Sequence, residues 1–552
     1  MNFYAAIVFS CIIFNSCDKN DSVDLMNRET VALKVQVDGD TFSGTKQIEF
    51  KGSVKGTGMS SANGSVQRKE VDLEGGFSLQ AELTIDTTGT IQRSGLKVLK
   101  NSTNAVSEAT QVGSNVVYKL VVFAADGTYI TERDYIRGQE ATAATLNLDG
   151  GTSYTFVAYS LNNTAAPPLI TFADPANKRL STASVKGISG NVDLLYFRKT
   201  MELNGGSTNF LSIIFEHSYS QVTTTVDATK TGYTISALTA NFDSHHATAD
   251  LNLSNGSLVR PVASENIAVA FSGLNTAVVQ SAPILLNGET NMGRFVISTL
   301  TIGPLTQVIP PDAISGLQII PGMKYNLKLE INPKDTYLDH SGQKAVRING
   351  KIWMRYNLGF NTTRDADQTP YISDQHGYYY QWGRSPAVAG RGATTTNGNW
   401  NSTPAAGNNR WNLGTSGAPV KNTANDPCPA GFRVPTVAEF QDLLNWTVPS
   451  NTGSFTDSNT NFSGVKVFTS KRNRYVKILF PMQGYFSYTT SGTTYVPTGI
   501  TDRGSYGSAW ASDRTNNTFR YLRMTSTEVR IGSNGPNAAL ALQATCIRCI
   551  AE

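Results

Sequence analysis

Val31-Ala-Leu-Lys-Val-Gln-Val37 decides the fold class, because Val31, Leu33, Val35 and Val37 alternate with Ala32, Lys34 and Gln36. A strand turns successive side chains to opposite faces, so a period of two predicts a strand with one buried face. The same texture continues outward from this stretch. Val116 to Phe123 is closed by Asp126-Gly127, Leu146 to Leu148 by Asp149-Gly150-Gly151, and Tyr154 to Tyr159 follows at once. Asp-Gly and Gly-Gly pairs supply the positive φ angles that tight hairpins require. Helical periodicity is nearly absent up to residue 430. The chain therefore reads as mainly β.

Composition agrees. Only 16% of residues are charged and 48 are glycine, the profile of exported β-proteins with many turns. A single hydrophobic core stops growing near ~250 to 300 residues, so 552 residues predict about three domains. The net charge of +4 is spread without a Lys/Arg block, which leaves no electrostatic footprint for nucleic acid. A short internal echo sets the domain count. Gly151-Thr-Ser-Tyr154 opens one strand and Gly322-Met-Lys-Tyr325 opens another, each with a turn before it. The repeat predicts two tandem β-sandwiches, with linkers at Pro167-Pro168 and Pro333.

The N-terminal segment sets the compartment. Ala5 to Phe14 is about ten apolar residues, too short to span a bilayer, which needs about 20, and suited to the core of a signal peptide. Ser16-Cys17 followed by Asp18-Lys19-Asn20-Asp21 resembles a lipobox of the Bacteroidetes kind. The resemblance implies a signal peptide over residues 1–16, lipidation of Cys17 and a membrane contact through that lipid alone. It departs from the usual pattern in lacking Lys or Arg within Met1 to Tyr4 and in carrying Phe14 three places before the cysteine.

From about residue 28 to 332 the chain resembles the fimbrillin-like proteins, subunits and accessory proteins of Bacteroidetes pili. The residues that carry this are Leu194-Leu195-Tyr196-Phe197, Phe215-Glu216-His217-Ser218-Tyr219-Ser220-Gln221-Val222 and the closing Gly322 to Ile331 run. The resemblance implies a sandwich over 17–165 and another over 166–335, export to the outer surface, and assembly with other pilus subunits by a donated strand. It also implies proteolysis after a basic residue. Arg28 is the candidate site, the alternative being an ordinary solvated arginine and a retained anchor.

Near Tyr337 the texture turns rich in Trp and Asn. Val346-Arg-Ile348, Asn349-Gly350 and Lys351-Ile-Trp-Met354 predict a hairpin with a two-residue turn. Tyr356-Asn-Leu-Gly359, Tyr379-Tyr-Gln-Trp-Gly383, Asp426-Pro-Cys-Pro-Ala-Gly-Phe-Arg-Val-Pro435, Phe480-Pro-Met-Gln-Gly-Tyr485, Ala509-Trp-Ala-Ser512 and Ile547-Arg-Cys-Ile550 follow. In this order they resemble the Fibrobacter succinogenes major paralogous domain, over 336–552. The family's disulfide positions fall on Cys428 and Cys549, with Cys546 as the rival partner. Three apart on a strand, Cys546 and Cys549 face opposite sides, so one of them faces Cys428. Thr436 and Glu439 form a capping-box pattern ahead of a helix from Val437 to Asn445 whose apolar face is Phe440, Leu443 and Leu444. The layout is similar to the C-type-lectin-like fold, which makes the terminal domain α+β by analogy.

Trp400 and Trp411 are candidate ligand-contact aromatics for sugar rings, or pins that hold a long loop to its own domain. No Glu-Pro-Asn, Gln-Pro-Asp or Trp-Asn-Asp calcium triplet occurs, and Asp513 with Asn516 and Asn517 reads as a turn. The five histidines form no His-Glu-x-x-His motif, and neither a Gly-x-Ser-x-Gly elbow nor a phosphate loop is present. The expectation is a non-enzymatic outer-membrane, cell-surface lipoprotein without metal or cofactor. It would serve as an accessory or tip subunit of a pilus, an adhesin with a host protein or glycan as ligand. The alternative is a free-standing outer-membrane glycan-binding lipoprotein.

Overall fold

The computed structural model describes residues 30–43, 60–62, 66–86, 110–515, 518–534 and 538–552. Cys17 and Arg28 lie outside the described residues. The fold is mainly β, and the helix Val437–Trp446 is the one α-helix among the described residues.

The described chain divides into two units. The first contains a seven-stranded and a four-stranded sheet. In the seven-stranded sheet, Thr30–Thr41 runs parallel to Asn209–His217 and antiparallel to Leu146–Asp149. Its alternating apolar residues do what the period of two requires: Val31, Leu33 and Val37 are buried, while Lys34 is exposed. Tyr135, Leu120, Phe156, Leu211 and Leu148 belong to the same core, so strands from both ends of the sheet order share one interior. Val121 and Val157, one step along their strands, turn the other way into a second core with Val185, Ala249 and Leu251 of the four-stranded sheet.

The second unit begins with another sandwich. Its larger sheet is organised around Lys324–Pro333, parallel to Ser220–Asp227 and antiparallel to Phe77–Ile85. Its smaller sheet places Ile235–His245 against Thr290–Ile302. Phe77, Leu79, Leu329, Phe242 and Leu300 meet in one core. The echo has a structural meaning here. Gly151 and Gly322 both adopt left-handed φ, 69° and 76°. Beyond each, the tyrosine hydroxyl accepts from the amide five residues upstream, Tyr154 from Asp149 at 3.2 Å and Tyr325 from Ile320 at 3.1 Å. Each strand so opened lies inside its sheet, with a neighbour on both sides.

The tandem boundaries at 17–165 and 166–335 require correction. The hairpin Val66–Leu73 and Phe77–Ile85 belongs to the second sandwich, while Leu195–Glu202, Asn209–His217 and Thr248–Asn252 belong to the first. Pro167-Pro168 is not a linker, because the strands on either side of it, Ser153–Ser160 and Ile170–Phe172, lie in the same unit, and Pro168 O accepts from the Tyr159 hydroxyl at 2.6 Å. The physical reason is range. Phe77–Ile85 pairs with a strand about 250 positions away, and a period of two reveals a buried face without saying which strand lies alongside.

The strands from Thr336 onward pair with one another in four sheets. Among them, Gln343–Ile348 and Lys351–Met354 are joined by Asn349 and Gly350 at φ 48° and 75°. Both central residues of a type I′ turn need this positive φ. The helix carries the capping box: Thr436 Oγ1 accepts from Glu439 N at 3.3 Å, and Glu439 accepts from Thr436 N at 2.9 Å. Phe440 and Leu443 are buried on its inner face, with Leu444 partly buried beside them.

Candidate functional site: a polar aromatic cleft in the terminal module

Within the second unit, the terminal module is fixed to the sandwich by a buried arginine. Arg472 donates through Nη2 to Asn349 Oδ1 at 2.7 Å and through Nε to the Gly75 carbonyl, and it lies over the Trp446 ring at 3.8 Å. Asp335, two residues beyond the closing strand, sits 3.6 Å from Arg472 and accepts from the Ser470 hydroxyl at 2.7 Å. Burial raises the Asp335 pKa, while Ser470 and Arg472 oppose that shift. A Cβ on Gly76 would stand 2.4 Å from Arg472 Nε, so this turn has to be glycine to let the guanidinium in. The Tyr233 hydroxyl adds a bond to Ser470 O at 2.7 Å.

The module's own closure uses Cys428, whose sulfur is bonded to Cys549 with Cα atoms 5.9 Å apart. Cys546 is free and buried, its thiol donating to Ser508 O at 2.8 Å, and burial pushes its pKa up to about 12. Such a thiol is inert at neutral pH. Asp426 ahead of Cys428 accepts from Cys428 N at 2.8 Å and Val434 N at 2.9 Å, and burial lifts its carboxyl to about 6.

Three strands, Gly507–Thr515, Thr518–Met524 and Val529–Asn534, form the floor of a cleft. Their alternation gives one face to the core and the other to the cleft. Ala509, Leu522, Met524 and Ile531 pack inward, whereas Ser508, Trp510, Tyr521, Arg523 and Arg530 line the cleft. Arg523 and Arg530 lie directly opposite each other across two strands. Like charges so placed repel, and Glu528 relieves the repulsion by accepting from Arg523 Nη1 at 2.7 Å and from Arg530 Nε at 2.5 Å. Gly532, paired with Tyr521, leaves room for its ring, since a Cβ there would come within 2.6 Å of a ring carbon.

The facing wall comes from Tyr485, Asp502 and Tyr506, with Gln543 and Thr545 completing the cleft of about 440 Å³. Tyr485 and Tyr506 meet edge to face at 5.4 Å, and Arg523 lies 5.8 Å from the Tyr506 ring centre. Burial and then Tyr521 raise the Tyr506 pKa, so that phenol stays protonated. Asp502 has φ of 57°, a left-handed conformation that aspartate tolerates better than most residues. Ser505 N and Tyr506 N hold it by donating to its carbonyl at 3.2 and 3.0 Å. Burial, then Asp457, raises the pKa of its carboxyl.

The two tryptophans singled out from sequence are elsewhere. Trp411 is 1% exposed, donates to Asn425 O at 3.0 Å and packs against Trp382. It is a loop pin, and its burial leaves no ring face for a ligand. Trp400 is partly buried against the cluster of Phe486 and Ile500 and donates to Tyr495 O at 3.3 Å. Neither lines the cleft. The signal that identifies the cleft residues is the alternation in Phe519-Arg-Tyr521-Leu-Arg523-Met524, where one face is apolar only in part; Tyr485 and Trp510 already stood within the motifs read from sequence.

Of the histidines, His217 is clasped between Asp193, 2.7 Å from Nδ1, and Asp40, 3.6 Å from Nε2, with Phe42 stacked on it at 3.6 Å. It thereby pins the end of the Thr30–Thr41 strand. His245 Nδ1 accepts from Asn287 N at 3.2 Å. Among the described residues, no group of three or more His, Cys, Asp or Glu could hold a metal ion, and no helix is long and apolar enough to cross a membrane.

Comparison with known proteins finds a family match over the middle of the chain. Residues 95–352, a little under half of the sequence, match the family model described as fimbrillin-like. No curated protein matches the chain. Among solved structures, it is similar to the fimbrial anchor protein Mfa2 from Porphyromonas gingivalis, at 13% identity over 45% of this chain and 92% of that one, with a TM-score of 0.25. It is also similar to a "putative cell adhesion protein" from Bacteroides fragilis NCTC 9343, at 10% identity over 58% of this chain and 96% of that one, with a TM-score of 0.28.

Proposed function

The chain carries a fimbrillin-like segment over residues 95–352, and from that premise we propose that it is a non-enzymatic cell-surface adhesion protein, an accessory or tip subunit assembled with other pilus subunits. The single observation that carries the tip placement is the joint. The closing strand Lys324–Pro333 runs into the terminal module, and the hairpin turn at Gly75-Gly76 beside it is clamped by Arg472. The module therefore covers this end of the sandwich, where a further subunit would otherwise stack.

Lipidation at Cys17 would deliver the protein to the outer membrane, and cleavage after Arg28 would release it for assembly. Such a cut leaves Thr30–Thr41 in the chain, still paired on both sides and pinned by His217. It removes the anchor and does not open the first sandwich. Any donated strand must then enter at a groove other than the one this strand fills.

The test is N-terminal mass spectrometry of filaments sheared from the native cell surface. A chain present in them and starting at Glu29 is the expected result; absence from filaments, with lipidated Cys17 in the membrane fraction, would overturn it. That second outcome favours a free-standing outer-membrane glycan-binding lipoprotein, a reading that draws on the polar cleft.

A further inference from the structure

We propose that the cleft of the terminal module is a binding site for an uncharged saccharide, held between Asp502 on one wall and Arg523 and Arg530 on the floor. The proposal rests on the cleft as the module's working surface and is independent of membership of a filament.

The volume of about 440 Å³ lies in the range of small-molecule pockets, ~300 to 1,000 Å³. Its accessible lining is mostly polar. An apolar ligand would strip water from these groups and leave them unpaired, which is costly for each one. The ligand must therefore bring its own donors and acceptors.

Arg523, Arg530, Glu528 and Asp502 sum to zero. A site that is neutral overall offers a charged ligand no net attraction. Yet the site keeps unused hydrogen-bonding capacity of both kinds. Asp502 belongs to the cleft lining, and its carboxylate accepts no hydrogen bond from a described residue. Glu528 engages one nitrogen of Arg523 and one of Arg530, and a guanidinium has five N–H donors. A ligand that donates to a carboxylate and accepts from guanidinium forks while remaining neutral is a polyol. The rings of Tyr485 and Tyr506 add apolar faces for its C–H surface.

The test uses the purified full chain with methyl glycosides of glucose, galactose, mannose and N-acetylglucosamine as probes, and glucuronic acid and glucosamine as charged counterparts. Saturation-transfer NMR detects binding and calorimetry measures it. The expected result is millimolar or tighter binding of at least one neutral glycoside, weakened about tenfold or more, equivalent to about 1.4 kcal/mol, by Arg530→Ala and by Asp502→Asn. Arg530 is exposed, and asparagine tolerates the left-handed conformation. If Asp502→Asn lowers the melting temperature, Arg530→Ala carries the test. Failure of all four neutral probes, binding that survives in the folded variants, or a charged probe bound more than about tenfold tighter would each overturn the proposal. A protein that binds sugar but is absent from filaments would leave this site standing and remove the tip reading.

Discussion

The second sandwich and the terminal module meet in one unit but hold themselves together differently. Four strands of the sandwich, Phe77–Ile85, Ile235–His245, Thr290–Ile302 and Lys324–Pro333, run 9 to 13 residues and bury alternate side chains in a single core. In the terminal module several strands have only two or three residues, and side chains take over from ladders. Arg548 is fully buried and donates to Asn357 Oδ1, Met354 O and Leu479 O at 2.9, 3.3 and 2.6 Å. Arg503 ties Asn459 O and Gly392 O at 2.7 and 3.2 Å, and Lys421 holds the Cys428 and Pro429 carbonyls at 3.0 and 2.9 Å. A buried charge is tolerable where such partners satisfy it. Long ladders stabilise through repetition; irregular loops need individual ties.

The disulfide separates the two regions by the largest effect. Reduction of Cys428–Cys549, which closes a loop with a sequence separation of 121, should cost the terminal module about 4 kcal/mol. Residues 30–427 contain no cysteine, so hydrogen exchange in dithiothreitol should show loss of protection in the module and none in the first sandwich. Uniform loss across both would contradict the separation.

Leu329→Ala is the counterpart in the sandwich. Leu329 is buried in the core between the two sheets, and truncation should cost about 3 kcal/mol, read by denaturant unfolding. A cost below about 1 kcal/mol would mean that the core collapses around the cavity.

His376 offers a pH test within the module. It is buried, donates to Phe462 O at 3.0 Å, and burial depresses its pKa to about 4. A group whose folded pKa lies below its unfolded value contributes stability above the unfolded value and loses it as pH falls toward the folded one. Wild type should therefore lose stability relative to His376→Gln between about pH 6.5 and 4, by at most about 3 kcal/mol. Asp426 works the other way, because its raised pKa makes its contribution largest at acid pH and diminishes it as pH rises toward 6. Parallel pH profiles for wild type and variant would rule out a neutral buried His376.

The smallest effect concerns the helix. Thr436→Ala removes the cap on Glu439 N and should cost about 1 kcal/mol by thermal melting.

These differences also explain what could be read from sequence. The strand at Val31, the Asn349-Gly350 turn and the Thr436 box rest on neighbours a few residues apart, where local rules suffice. The assignment of the Phe77–Ile85 strand to the second sandwich rests on a partner about 250 positions away, which no local pattern contains. The cleft was legible only in part. Tyr485 and Trp510 lie in motifs visible in the chain, whereas Asp502 owes its place to a strained turn and Arg530 to strand register. Trp411 was legible as a pin or a ligand contact, and burial decides for the pin.

A tip subunit places the terminal module at the end of a filament. Immunogold labelling of native cells with antibody raised against residues 336–552 locates it. Gold at the free ends of surface filaments is the expected result; gold spaced along the shafts, or scattered over the cell surface away from any filament, would rule out a tip subunit.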